Sequence, residues 1–342
     1  MEPEAHVSTQ PYHSPVTLSA TLKKGKARVR RFFAGVSTEG MLLVFLAIVV
    51  AFFALKSEYF FALNNLRNIL LAVSVLSVLA FPSTMLIISG NFDLSVASNA
   101  AFTGMLFALV SEGGKGNIPL GVAAAIAGGL AVGFINGFLV TVVRVNSLIT
   151  TLGTLAIFRG LAKILSNGQT LRVQGFDWMG KAQLLGIPVA IYIMLGVAII
   201  LAFVLRNTVY GRNIYAIGAN AAAARLVGIR NHLTVFITFL LTGFLGGVAG
   251  LMLTSQLTAA SPIAGLGLEL SVVSAVVLGG ASLYGGRGTI LGTILGVAIL
   301  GTVNNGMILI GLSSFWQEVA RGVILIAAVA FDQLRVTVGG NR

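Results

Sequence analysis

The chain has no cysteine among its 342 residues, and only three histidines and ten acidic side chains. Without cysteine there is no disulfide framework, no thiolate metal site and no cysteine nucleophile. The histidines do not cluster as metal ligands do: His6 and His13 lie in a polar head and His232 in a loop. Charged residues make up only 9% of the chain, against about 25% in a soluble domain. That scarcity excludes a soluble globular enzyme, a disordered chain and a nucleic-acid-binding protein.

What is present is apolar. Hydrophobic residues account for 56% of the chain, with 42 glycines besides, and the mean hydropathy is +0.96. A helix needs about 20 apolar residues to cross a bilayer, and the chain holds enough for nine or ten. It reads as an all-α polytopic membrane protein with little mass outside the lipid. The first apolar run begins near Met41, too late for a cleavable signal peptide. Ten apolar segments follow, at 40–56, 66–88, 94–111, 118–142, 147–165, 184–206, 233–255, 268–284, 288–311 and 315–332.

The net charge of +12 carries topology, because Lys and Arg collect on the cytoplasmic side of membranes. Residues 1–36 form a polar tail with a basic run, Lys23, Lys24, Lys26, Arg28, Arg30 and Arg31. A membrane domain over 37–334 and a short tail over 335–342 follow. With the basic tail inside, ten alternating spans put fourteen cations inside and five outside. Nine spans would put Arg335 and Arg342 outside. Both termini are therefore expected in the cytoplasm. Ten spans divide into five and five, and an odd number per half turns the halves upside down relative to each other, an inverted repeat. The segment 207–232 then faces the cytoplasm, while 166–183 and 256–267 face the other side.

The chemistry of energy conversion is missing. No Gly-Lys pair is followed by Ser or Thr at Walker A spacing, so no phosphate-binding loop exists. Gly285-Gly286-Arg287-Gly288-Thr289 reads as a tight inside turn. Most acids fall in loops or at span ends, which gives ion coupling through buried carboxylates little support. Asp93, beside Ser95, suits either helix capping or a pathway role. Glu318 and Arg321 are spaced to pair along a helix. The glycine-rich runs 121–137, 243–250 and 292–301 suit close helix packing. Among uncharged polar residues within spans are Asn136, Thr150, Thr151, Thr154, Asn304 and Asn305. They could line a pathway for a neutral sugar or polyol, or bond helix to helix.

Within 207–232, Asn220 precedes four alanines and Gly228 ends the run. This pattern predicts a short helix between glycine hinges at Gly218 and Gly228. A helix so short is marginal in water alone and would gain stability by docking on another protein.

Several segments together resemble the permease subunits of bacterial ABC importers of the ribose, galactose and xylose type. They are Ser89-Gly-Asn-Phe-Asp-Leu-Ser-Val-Ala-Ser98, Ser147-Leu-Ile-Thr-Thr-Leu-Gly-Thr154, Phe158-Arg-Gly160 and Tyr210-Gly-Arg-Asn-Ile-Tyr-Ala-Ile-Gly218. Ala223-Ala-Arg-Leu-Val-Gly-Ile229, Glu269-Leu270, Ala275-Val-Val-Leu-Gly-Gly280, Gly285-Gly-Arg-Gly288, Asn304-Asn-Gly306 and Ser313-Ser-Phe-Trp316 complete the set. Asn91, Ala97, Asn146 and Ser271 stand where that family usually has Gly, Gly, Pro and Asp.

The resemblance implies a type II-like importer permease in the bacterial inner membrane, beside a second permease copy or paralogue. It also implies a cytoplasmic ATPase that binds the ATP, a periplasmic sugar-binding protein, and no cofactor or nucleic acid for the chain itself. ATPase coupling would fall to Tyr210, Gly211, Arg212, Asn220, Ala224, Arg225, Leu226 and Gly228. The translocation pathway would use Asp93, Ser95, Asn136, Thr154, Asn304 and Asn305. The binding protein would dock at Gln169, Arg172, Asp177 and Ser261. A permease for branched-chain amino acids or an autoinducer shares this plan, whereas an autonomous channel or carrier would need to transport alone.

Overall fold

A computed structural model describes residues 38–339, and these are helical almost throughout. Twelve α-helices follow one another. They are α1 (Thr38–Lys56), α2 (Leu63–Ile88), α3 (Val96–Val110), α4 (Ile118–Thr141), α5 (Ser147–Leu165) and α6 (Val189–Asn207), then α7 (Val209–Ala219), α8 (Ala221–Leu226), α9 (Asn231–Leu257), α10 (Leu268–Leu278), α11 (Ile290–Leu309) and α12 (Ser314–Gly339). Among the described residues there are also a short 3-10 helix (Glu112–Gly114) and four two-residue strands: β1 (Leu171–Arg172), β2 (Gln183–Leu184), β3 (Ile187–Pro188) and β4 (Ala259–Ala260). β1 pairs antiparallel with β4, and β2 with β3. The tail expected at 1–36, and the last residues of the one expected at 335–342, lie outside the described residues. α12 continues to Gly339, past the expected boundary at 334.

Each of the ten apolar segments holds a helix. Seven of these, α1, α2, α4, α5, α6, α9 and α11, are long and apolar enough to cross a membrane. α3 and α10 are apolar but have only 15 and 11 residues. At 1.5 Å per residue they reach about 22 and 16 Å, short of a hydrocarbon core about 30 Å thick. The spans expected at 94–111 and 268–284 are thus only partly helical. Left-handed glycines set the limits: Gly90 (φ 79°) turns the chain before α3, and Gly280 (φ 92°) follows the end of α10.

α2 occupies the centre, with every residue from Val73 to Ile88 buried. A helix apolar all round belongs inside a bundle. α1 is the opposite case: only Leu42, Val49 and Phe53 are buried, while Leu43, Val44, Ile48 and Phe52 face outward. The glycine runs do pack helices. A Cβ added at Gly133 of α4 would stand 3.0 Å from the Gly243 Cα of α9, and one at Gly279 would meet the Gly292 backbone of α11. Small residues let these backbones touch.

The connections gather at two ends of the bundle. At one end, Gly286 N–H donates to the Ile88 carbonyl (2.8 Å), and Phe92 N–H donates to Ser147 Oγ (3.2 Å). α7 and α8 lie there too. At the strand end, β1 meets β4, and Gln174 N–H donates to the Gly113 carbonyl (2.8 Å). Residues 285–289 form the expected turn, with Gly285 and Gly286 at φ 84° and 74°. Arg321 does not make the expected pair with Glu318. Its Nε donates to the Gln317 carbonyl (3.2 Å) and its Nη1 to the Gly267 carbonyl (3.3 Å). Glu318 is exposed, and an exposed ion pair is worth little.

Candidate functional site

Four of the six expected pathway residues form one buried hydrogen-bonded chain. Thr154 Oγ1 on α5 donates to Asn136 Oδ1 on α4 (2.8 Å). Asn136 Nδ2 donates to Ser95 Oγ at the start of α3 (2.8 Å). Ser95 donates to Asp93 Oδ1 through both its hydroxyl (2.6 Å) and its backbone N–H (2.8 Å). All four side chains are buried. Asp93 therefore orders the turn before α3 and also ends a polar chain reaching through three helices. Such a chain is stable in low dielectric only because its members satisfy one another.

Asn305 lies apart. It exchanges hydrogen bonds with Asn65 of α2 in both directions (2.8 and 3.0 Å), and Asn65 also donates to the Phe60 carbonyl (2.8 Å). Asn304 beside it is half-buried. The six residues thus fall into two places, Asp93–Ser95–Asn136–Thr154 at the α7–α8 end and Asn304–Asn305 towards the strand end. Asn65 escaped the sequence reading because it sits at the very edge of an apolar run.

The segment 207–232 contains two helices rather than one. Thr208 caps α7, its Oγ1 accepting from Gly211 N–H (3.1 Å). Tyr210 Oη contacts Thr238 Oγ1 (2.8 Å) and donates to the Thr234 carbonyl (3.2 Å). Burial pushes its hydroxyl up to about 12, against the Thr238 hydrogen bond; the phenol stays protonated at physiological pH. Tyr215 donates to the Gly288 carbonyl (2.7 Å), and burial raises its hydroxyl as well. Gly211 leaves no room for a side chain, since an added Cβ would overlap the Leu205 carbonyl. Arg212 is exposed.

Gly218 is not the expected hinge. It stays inside α7, and an added Cβ would overlap the Ile88 carbonyl and the Gly286 amide. The break falls at Asn220 (φ −162°, ψ 101°), whose Oδ1 accepts from Ala223 N–H (3.0 Å) and caps α8. At the other end Gly228 (φ 85°) turns the chain as expected. Gly228 N–H donates to the Arg225 carbonyl (3.0 Å) and Ile229 N–H to the Ala224 carbonyl (3.0 Å), a Schellman closure. Asn231 Nδ2 ties down the Ala221 carbonyl (2.7 Å). Ala224 is buried beneath α8, and Arg225 projects outward. Leu226 is 89% and Val227 78% exposed.

At the strand end, Gln169, Arg172 and Asp177 are exposed and Ser261 is half-buried. Arg172 and Asp177 line one open cleft of about 410 Å³ with Val173, Gln174, Gly175 and Thr258. Ser261 directly follows β4, whose Ala260 pairs with Leu171. Gln169 sits in the turn leaving α5, its N–H donating to the Ser166 carbonyl (2.9 Å). Asn146, in place of the usual proline, caps α5 by accepting from Leu148 N–H (2.9 Å). No cluster of three His, Asp or Glu able to hold a metal ion occurs among the described residues.

The family described as "Branched-chain amino acid transport system / permease component" matches residues 65–329. The ribose import permease protein of Escherichia coli (strain K12) is 39% identical over 311 residues, covering 89% of this chain and 96% of that one. The L-arabinose transport system permease protein of the same strain is 41% identical over 298 residues, 86% and 90% of the two chains. Its D-allose transport system permease protein is 36% identical over 292 residues, 84% and 90%.

Proposed function

The chain belongs to the permease-component family of these transport systems, and from that premise we propose that it carries a monosaccharide inward through the membrane, driven by ATP. It is a multi-pass, non-catalytic subunit, and its family role implies a separate ATPase and a binding protein as partners. The observation that carries the sugar reading is the 36–41% identity, over most of each chain, to permeases named for ribose, L-arabinose and D-allose. The buried polar chain agrees with it, being mostly uncharged amide and hydroxyl groups. We place α8 against the ATPase, the β1–β4 cleft beneath the binding protein, and a second permease copy or paralogue alongside.

An inverted five-plus-five repeat is our reading of the helix order. Support comes from paired lengths: α2 and α9 have 26 and 27 residues, α3 and α10 are both short, and α4 and α11 have 24 and 20. Asn136 and Asn304 each lie five residues before the end of their helices, at Thr141 and Leu309. Ten crossings with both ends inside predict a cytoplasmic signal from a reporter fused at Gly339 and a periplasmic one within 166–183. A periplasmic signal at Gly339 would overturn this topology.

Proteoliposomes holding the chain with its ATPase and binding protein test the function. Labelled ribose, arabinose or allose should enter only with ATP, and the chain alone should hydrolyse none. The family description favours one rival, so leucine is the control: leucine uptake in place of a sugar overturns the substrate class. Uptake by the chain alone overturns ATP drive.

A further inference from the structure

The segment between α9 and α10 starts at the strand end, where β4 pairs with β1. α10 supplies only about 16 Å of helix, so residues 258–267 descend into the bundle to meet it. Arg159 on α5 lies six residues before the helix end at Leu165, about 9 Å along the axis. From there its Nη1 donates to the Ala264 carbonyl (2.8 Å) and the Pro262 carbonyl (3.2 Å). Arg321, from α12, holds the Gly267 carbonyl (3.3 Å). Arg159 thus satisfies two carbonyls of a stretch that no helix satisfies, the condition for irregular backbone at membrane depth, while the Gly267 carbonyl also accepts from Ser271 of α10.

Arg159 is only 7% exposed, yet its Nε and Nη2 have no hydrogen-bond partner. Glu269, in the first turn of α10, accepts from Gly267 N–H with Oε1 (3.3 Å), while its Oε2 is buried and unpartnered. Glu269 lies only five residues beyond Ala264, whose carbonyl Arg159 holds. Unused donors on a buried guanidinium near an unused carboxylate oxygen need an explanation, because such groups are costly when left unpaired.

We propose that residues 258–267 form the outer gate of the transport pathway, that Arg159 is the positioning residue latching it closed, and that Glu269 is the partner Arg159 takes when the gate lifts. One guanidinium then has two alternative sets of acceptors, the loop carbonyls or the carboxylate, which makes the element bistable. The β1–β4 pairing ties the same loop to the segment carrying Arg172, so a protein landing there can pull on the latch. The inference depends on the permease role and not on which solute is carried.

The absence of cysteine makes the test direct. A single Ala264→Cys in the assembled transporter, in intact cells, is treated with a membrane-impermeant maleimide. Adding Arg159→Leu should speed labelling about tenfold or more, Arg159→Lys should speed it less, and Glu269→Gln should slow it while lowering transport. Lys181→Cys, on the same face, should label equally in every background, which separates gate release from general loosening. If Arg159→Leu inserts poorly, Arg159→Lys against Glu269→Gln still decides the sign. Equal labelling of Ala264→Cys in all backgrounds, or a shift of both substitutions in one direction, overturns the proposal.

Discussion

Arg225→Glu should abolish productive association with the ATPase while leaving the chain inserted and abundant. The side chain is exposed at the outer face of α8, so reversing its charge disturbs nothing that holds the helix. That work falls to the Asn220 cap, the Asn231–Ala221 hydrogen bond, the buried Ala224 and the closure at Gly228. Leu226 and Val227 beside it present apolar surface to the same side, the composition of a docking tip. Losing a desolvated interfacial charge pair costs about 2–5 kcal/mol, which is roughly 30-fold to several thousand-fold in affinity. Co-purification of the ATPase and hydrolysis stimulated by loaded binding protein are the readouts. Binding of the periplasmic partner should persist. Normal stimulation in the mutant would make Arg225 one more topology charge.

Asn136→Leu should stop uptake at near-normal abundance. The amide is the middle of the Asp93–Ser95–Asn136–Thr154 chain and makes two of its links, to α3 and to α5. Leucine leaves Ser95 short of a donor and Thr154 short of an acceptor, and withdraws the support that Asn136 gives the buried Asp93 turn. Interhelical hydrogen bonds in membranes average only about 0.6 kcal/mol, with a ceiling near 2. Two such links bring the loss to about 1–4 kcal/mol, enough to disorder the turn at residues 89–95 without unfolding the bundle. Asn305→Leu breaks a reciprocal pair with Asn65 at the other end and should slow uptake less. Equal, unimpaired uptake in both mutants would reduce the two amides to packing.

The turn at 89–95 carries more than its polar chain. The Ile88 carbonyl before it accepts from Gly286 N–H, and Gly218 of α7 packs on the same carbonyl with no space for a side chain. The cytoplasm-expected helices therefore rest on the bundle through backbone contact. Motion of α7 reaches α2 and the α10–α11 turn with no flexible side chain between.

The sequence alone determined what depends on local pattern and composition. The membrane class, the ten apolar segments, the cap at Asn220 and the glycine stop at Gly228 follow from hydropathy and from residues three or four apart, where neighbours in sequence are neighbours in space. The glycine runs were readable as packing for the same reason. Only the tertiary structure decided which polar residues meet. Asn136 and Asn305 looked alike in sequence, yet one joins three helices and the other pairs with Asn65, because hydrogen-bond partners here stand 18 to 240 residues apart. How much of the segments at 94–111 and 268–284 is helical was likewise not legible. Both lie in continuous apolar stretches, and apolarity records burial or lipid contact without recording whether the backbone there is helical. Arg159 shows the limit most clearly. In sequence it is one cation inside a span, and its carbonyl partners are supplied by a loop a hundred residues away that descends to it only in the folded bundle.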